Sequence, residues 1–292
     1  MNKIKSLIGN CLPHFQTDMN DLKFLNPFST KNKVRLGPNK DGGYIVYQSI
    51  LQDVEALVTY GVGWEVGFER HFNEITGHKV VMFDPTMFGK YILDLRVFKK
   101  LLRGGRIRKL FKYLHFVLKI QKWLNLLRKL NIVFVNEGLG IRHEMKYNTL
   151  GNHLKQYRLL DKQIMLKIDI EGAEYDVFEN PDTYQYLKNV SQIIIEFHDL
   201  QILFPRFKDI VCRLKDDYEI IHIHGNNCGG QFIFTDQEEN RTMLIPKVLE
   251  LTLVQKGKIY DHDITEEVFS YPTNGLDYAN RSRLADLPLN FI

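Results

Sequence analysis

Gln163–Val177 reads QIMLKIDIEGAEYDV, and its reading decides the fold. Ile164–Ile168 is a short, largely apolar run that ends in Asp169, and a helix-forming segment follows at once. Such a run predicts a buried parallel strand that delivers a carboxylate to its C-terminal end. Open α/β sheets bind their ligands along that edge. Glu171 and Glu174 stand i, i+3 on the segment that follows, so both can face one cleft. The alternative is a Glu171 that only favours a helix N-terminus and a solvated Glu174. Asp169 asks for more, because a carboxylate at the end of an apolar strand is costly without a partner.

Working outward, further strands with helical segments between them are predicted. They are Val54–Tyr60, Lys79–Phe83, Ile132–Val135, Gln192–Phe197 and Glu219–His224, with Gln231–Thr235 and Val248–Val254 as closing strands. Helical spacing marks Trp64–Ile75, Leu150–Leu160, Glu171–Phe178 and Phe204–Leu214. This alternation predicts an α/β fold. Val34–Tyr47 reads as strand, glycine turn, strand, and Asp41-Gly42-Gly43 as its hairpin turn. The chain divides into an N-terminal helix and hairpin segment over 1–53, a main domain over 54–260, and a polar tail over 261–292.

The 292 residues carry a formal net charge of +4. The charge is uneven: Gly89–Leu130 holds 13 Lys and Arg against Asp94 alone, a net +12 that leaves the rest of the chain at −8. The three cysteines, Cys11, Cys212 and Cys228, lack metal-type spacing and suit a reducing cytosol. Gly9, Asn10 and His14 interrupt any apolar region at the N-terminus, so no signal peptide is predicted. No run approaches the ~18 apolar residues of a membrane span. The expected location is the cytoplasm.

Val54–Tyr60 runs into Gly61-Val62-Gly63, and the next strand ends in Asp84. Strand, glycine turn and helix bring a backbone close to a nucleotide cofactor, and an acid about 20 residues on can accept ribose hydroxyls. Val66 occupies the third glycine position of a dinucleotide turn. A pyrophosphate needs that close helix approach, and a nucleoside cofactor without phosphates does not. This favours S-adenosylmethionine over NAD.

The basic segment reads as a helical insertion over about 89–130, broken at Gly104-Gly105. Phe111, Leu114, Leu118 and Trp123 are interleaved with Lys112, Lys119 and Lys122. The alternatives are a solvated helical hairpin packed on the domain, a site for an anionic acceptor, and a helix on a membrane surface. No nucleic-acid-binding motif is present.

Gly61-Val62-Gly63, Asp84 and LKIDIEGAE together resemble the FkbM-type S-adenosylmethionine-dependent methyltransferases. DGGYIV near the start, FDPT after the second strand and IIIEFHDL after the fifth are similar to the branch that includes methyltransferase-like protein 24 and bacterial sugar methyltransferases. The resemblance spans about residues 34–254. It implies a Rossmann-like, seven-stranded class I methyltransferase sheet with flanking helices and its last strand antiparallel. It also implies that Asp41 and Gly42 complete the cofactor site. Gly61–Gly63 would then approach the methionine part of the cofactor, Asp84 the ribose, and Glu137 and Gly138 the adenine. Most members methylate hydroxyls of sugars and polyketides, and the basic segment is longer than the family leads one to expect.

Methyl transfer is an in-line displacement from an activated sulfonium, so the protein has to align the acceptor oxygen and remove its proton. Asp169, Glu196 and His198 come from the ends of adjacent predicted strands and can converge. Two carboxylates and an imidazole suit Mg²⁺ or Mn²⁺, and the resemblance to metal-dependent sugar methyltransferases implies the same. Without a metal, His198 or Asp169 is the base. His224 with Asn226, and Arg103 with Arg106, are candidate acceptor contacts, whereas His222 reads as a core histidine. The expected activity is S-adenosylmethionine-dependent O-methylation of a sugar, nucleotide-linked or part of a surface glycan precursor. An N-methyltransferase and a non-catalytic nucleotide- or glycan-binding protein are the alternatives.

Overall fold

A computed structural model describes residues 15–16, 19–87, 107–236 and 241–290. Arg103, Arg106 and the Gly104-Gly105 break lie outside the described residues.

In chain order the strands are β1 (Phe15–Gln16), β2 (Lys33–Leu36), β3 (Tyr44–Tyr47), β4 (Ala56–Tyr60), β5 (Lys79–Phe83), β6 (Ile132–Val135), β7 (Gly138–Leu139) and β8 (Tyr147–Asn148). They continue with β9 (Ile164–Ile168), β10 (Val190–Phe197), β11 (Tyr218–Gly225), β12 (Gln231–Asp236), β13 (Arg241–Pro246) and β14 (Leu249–Gln255). The main helices are α1 (Gly67–Thr76), α2 (Ile107–Lys129), α3 (Leu150–Gln156), α4 (Glu174–Glu179) and α5 (Leu200–Leu214).

Seven strands form the central sheet in the order β11-β14-β10-β9-β4-β5-β6. Its pairs are parallel except where β14 lies antiparallel between β10 and β11. The chain winds outward from β4 through β5 to β6, then returns to set β9 against the other side of β4. That reversal opens a crevice beyond the C-terminal ends of β4 and β9.

Every residue of β4, β9 and β10 is buried, which explains why these strands read as apolar runs rather than as alternating patterns. The side chains still alternate between two cores. Val58, Tyr60, Leu166 and Ile168 join the larger cluster with α3, α4 and α5. Leu57, Val80, Met82 and Met165 join a second cluster with α1, the hairpin and α2. Truncation of Leu166, which is 0% exposed, to Ala is expected to cost ~2–5 kcal/mol.

Several elements start later or pair elsewhere than expected. The helix expected from Trp64 begins at Gly67, because Gly63–Val66 form the turn beyond β4. Likewise α4 begins at Glu174, after a turn in which Glu171 takes a left-handed φ of 55°. The expected closing strand Gln231–Thr235 does not enter the central sheet. It lies in β12, which pairs with β13 and with β1 in a separate three-stranded sheet. Strand alternation marks a half-buried surface but not which sheet supplies the partner.

The hairpin of β2 and β3 is antiparallel, as expected. The tail folds back rather than trailing. Thr30 bridges to Ile264, Leu289 is buried, and Asp263 accepts hydrogen bonds from Tyr47, Ser49 and Asn32.

Candidate functional site

Gly61 and Asp169 meet where β4 and β9 end. The Asp169 amide donates to the Tyr60 carbonyl at 3.2 Å, which carries the ladder one step past the strands. A Cβ on Gly61 would fall 1.5 Å from the Asp169 carbonyl oxygen, and its φ is 73°. Only glycine fits there. Gly63, at φ 58°, faces open space instead, and its amide donates to Asp84 Oδ2 at 2.9 Å.

A cavity of ≈ 530 Å³ opens beyond these ends, well sized for a small-molecule ligand. Asp41, Gly42, Gly61, Val62, Gly63, Asp84 and Gly138 line it, seven of the eight residues expected at a cofactor. Glu137 is not among them. Its carboxylate turns to the buried His153, with Oε2 3.2 Å from Nε2. Asp84 is held rigidly, since its Oδ1 accepts from the Thr86 amide and hydroxyl, each at 2.7 Å, and from the Met87 amide. Its Oδ2 accepts only from Gly63 among these contacts. A carboxylate oxygen has two acceptor positions, so Oδ2 has room for one further donor beside those contacts.

The partner that Asp169 needs is Lys167. The two stand i, i+2 on one face of the strand, with Nζ 3.5 Å from Oδ2. Tyr44, from the hairpin, donates its hydroxyl to the same oxygen at 3.1 Å, and its ring lies under the ammonium. Thr59, Lys167's neighbour across β4, donates to the buried Glu69 of α1. Burial works against the Lys167 charge, but Asp169, Glu69 and Glu196 outweigh it and raise the pKa. Tyr44, Glu69 and Lys167 all line the cavity, and none was foreseen as a site residue. The available signal was a lysine inside an apolar strand two residues before its acid.

Beside the cavity, Asp169, Glu196 and His198 converge as expected. One ligating atom from each lies within 4.8 Å of the others. His198 Nε2 is 3.8 Å from Asp169, 3.6 Å from Glu196 and 3.6 Å from Glu171. Its Nδ1 is 3.2 Å from Glu174 Oε1, which also accepts the His198 amide. Glu174 is therefore a buried brace between the β9 turn and the end of β10, not a solvated or cleft-facing group. Glu171 does line the cavity. Burial opposes charge on His198, yet Glu174, Asp169 and Glu171 raise its pKa. Glu196 is buried, and desolvation, then the Asp169 and Glu250 charges, pushes its carboxyl well up.

The remaining acceptor candidates are structural. His224 lies between Glu250, 3.1 Å from Nδ1, and Asp286, 2.9 Å from Nε2, so both ring nitrogens are occupied and the tail covers it. Asn226 is buried and donates to Glu196 Oε1 at 2.8 Å, which orients that carboxylate. His222 pairs with Asp277 at 2.8 Å, as a core histidine should. The tail segment that supplies Asp277 and Asp286 gives no sequence signal for this role.

No family model and no curated protein matches this chain. A solved structure of an uncharacterized protein from Listeria monocytogenes serotype 4b is similar at 9% identity, over 73% of this chain and 66% of that one, with a TM-score of 0.33. At that score the likeness carries no argument about fold or function.

Proposed function

We propose that the chain is a class I, Rossmann-like methyltransferase that uses S-adenosylmethionine to O-methylate a sugar hydroxyl of a nucleotide-linked sugar or glycan precursor. The observation that carries this reading is the charge of the cavity. Among the described residues, its lining includes six carboxylates (Asp41, Glu65, Glu69, Asp84, Asp169 and Glu171) and one cationic side chain, Lys167. Such a wall attracts a sulfonium and an ammonium and repels a pyrophosphate. Support also comes from the sheet, which has seven strands and its last strand in chain order, β14, antiparallel, as the FkbM resemblance implies.

The bound cofactor supplies a methyl group activated on sulfur. Asp84, braced by Thr86 and Gly63, offers its free Oδ2 position to the ribose. Gly61 and Gly63 keep the turn low enough for the methionine part to pass. Asp169 is the member of the Asp169–Glu196–His198 group that lines the cavity, so it would receive the proton that the acceptor hydroxyl loses. Tyr44 and Lys167 hold its carboxylate in place.

Mg²⁺ or Mn²⁺ fits the donor set, because Glu174 holds Nδ1 of His198 and leaves Nε2 facing the two carboxylates. Asp169, Glu196 and His198 would hold the ion, which supplies a Lewis acid that eases loss of the hydroxyl proton.

Titration calorimetry with S-adenosylmethionine, its demethylated product and NAD tests the cofactor assignment. Binding of the first two and none of NAD is expected. Silence with both sulfur compounds, or tighter binding of NAD, would falsify it. With the cofactor established, EDTA should lower turnover on a screened nucleotide sugar, and Mn²⁺ should restore it. Full turnover by enzyme shown to be metal-free would leave Asp169 as a simple base.

A further inference from the structure

α2 is amphipathic on both sides. Ile120, Trp123 and Leu127 are buried against the second core, beside Ile132 at the start of β6. The opposite face exposes Phe111, Leu114 and Leu118 to 67%, 40% and 56%. These three stand at i, i+3 and i+7, so they form one stripe. Arg108, Lys112, His115 and Lys122 are exposed beside that stripe. The helix holds seven Lys and Arg residues and no Asp or Glu. Among the described residues, no helix is long and apolar enough to cross a membrane.

We infer that this face docks α2 flat on an anionic lipid bilayer. An acid-free helix with apolar side chains between basic ones can sink its stripe to the acyl boundary while the basic groups meet lipid phosphates. An acidic protein partner would satisfy the charges but would leave three large apolar side chains facing carboxylates.

The docking also bears on the acceptor. Trp64 lines the cavity, and its ring meets Phe116 and Trp123 of α2 edge to face, at 5.8 and 5.9 Å. Lys119 lies 4.7 Å over the same ring. A bilayer under α2 is thus separated from the cavity wall by the thickness of this one helix, about 10 Å. On the methyltransferase reading, the acceptor is a glycan linked to lipid rather than a free nucleotide sugar.

The test is co-sedimentation of the full chain with vesicles of phosphatidylcholine alone and of phosphatidylcholine with phosphatidylglycerol. Binding is expected only to the second, and raised salt should weaken it because these charges are exposed. Replacing Phe111, Leu114 and Leu118 with Ser should abolish it. Replacing Arg108, Lys112 and Lys122 with Gln should weaken it by roughly fivefold per charge. Melting temperatures should hold in both variants, since all six side chains are exposed. Equal binding to both vesicle types, or binding unchanged by both variants, overturns the inference. So does a dimer in light scattering that the Ser variant dissolves, which would assign the face to a second copy of the chain. Calorimetry with S-adenosylmethionine on the same samples separates the two readings. Vesicle binding without cofactor binding sinks the methyltransferase reading alone, and cofactor binding without vesicle binding sinks the docking alone. If both occur, a lipid-linked sugar in the vesicles should be methylated faster than the same sugar on a soluble nucleotide. Equal rates would overturn the acceptor assignment.

Discussion

The two halves of the sheet's C-terminal edge carry the same residue types to different ends. Where β4 and β9 finish, Asp169, Lys167, Glu69 and Asp84 surround an open cavity. Where β14 and β11 run, His222, His224 and Glu250 meet Asp277 and Asp286 from the tail. In the first half, among the described residues, acids outnumber cations around an open cavity. In the second, both nitrogens of His224 have carboxylates, and all of these residues but the half-buried Asp286 are buried. A cluster of ionisable side chains is therefore no guide to function by itself. What separates a candidate site from a structural knot is whether the chain satisfies its own polar groups or leaves them for a ligand.

The largest expected effect of breaking this contrast is at Lys167. Lys167→Met leaves Asp169 and Glu69 without their buried counter-charge, and should cost ~3–5 kcal/mol of stability. Adding Glu69→Gln should recover part of it. A urea titration in which the single variant matches wild type would remove Lys167 from the centre of the network.

Asp84→Asn comes next. It keeps an acceptor for Thr86 but puts an NH2, which cannot accept, in place of the Oδ2 that takes the Gly63 amide and on the methyltransferase reading the ribose hydroxyl, so S-adenosylmethionine should bind weaker by ~1.5–3 kcal/mol. Unchanged affinity in calorimetry removes the ribose role.

On the closed half, His224→Gln should cost ~1–3 kcal/mol through a charged hydrogen-bond network left short of a cation. Burial opposes the His224 charge, but Glu250 and Asp286 dominate and raise its pKa to about 11. Its folded pKa therefore exceeds the ordinary ~6.5 of the unfolded chain. The stabilisation is full below that lower value and fades as pH climbs toward the higher one. Wild type and variant should differ most at about pH 6 and converge only above about pH 11. A gap that widens with pH would mean that the imidazole is neutral in the fold.

The smallest effect should come from Glu137→Gln. Its carboxylate faces His153 rather than the cavity, so cofactor affinity should stay within about twofold, under ~0.5 kcal/mol. A tenfold loss would return Glu137 to the cofactor site.

Much of the cavity wall was legible because glycines and strand ends are local signals. Gly61 has to be glycine for its own backbone angle and for the Asp169 carbonyl beside it, and the apolar run before Asp169 follows from burial on both faces of β9. The convergence of Asp169, Glu196 and His198 followed from two adjacent parallel strands ending level, and β9 and β10 do pair in that way. The roles of Glu174 and Asn226 were not legible, because both are decided by partners far away in sequence: Glu174 by the end of β10, Asn226 by Glu196.

By itself the sequence determined the α/β alternation, the glycine turn with its acid on the following strand, the acids at the strand ends, and the concentration of positive charge before β6. Each rests on neighbours along the chain: apolar period, turn chemistry, local composition. Only the tertiary structure decided that β12 leaves the central sheet, that Tyr44 joins Lys167 as a partner of Asp169, that Glu137 turns away, and that the tail closes over His224. Those outcomes depend on hydrogen bonds and ion pairs between residues tens to hundreds of positions apart. Burial makes such partners compulsory, and no local pattern names them.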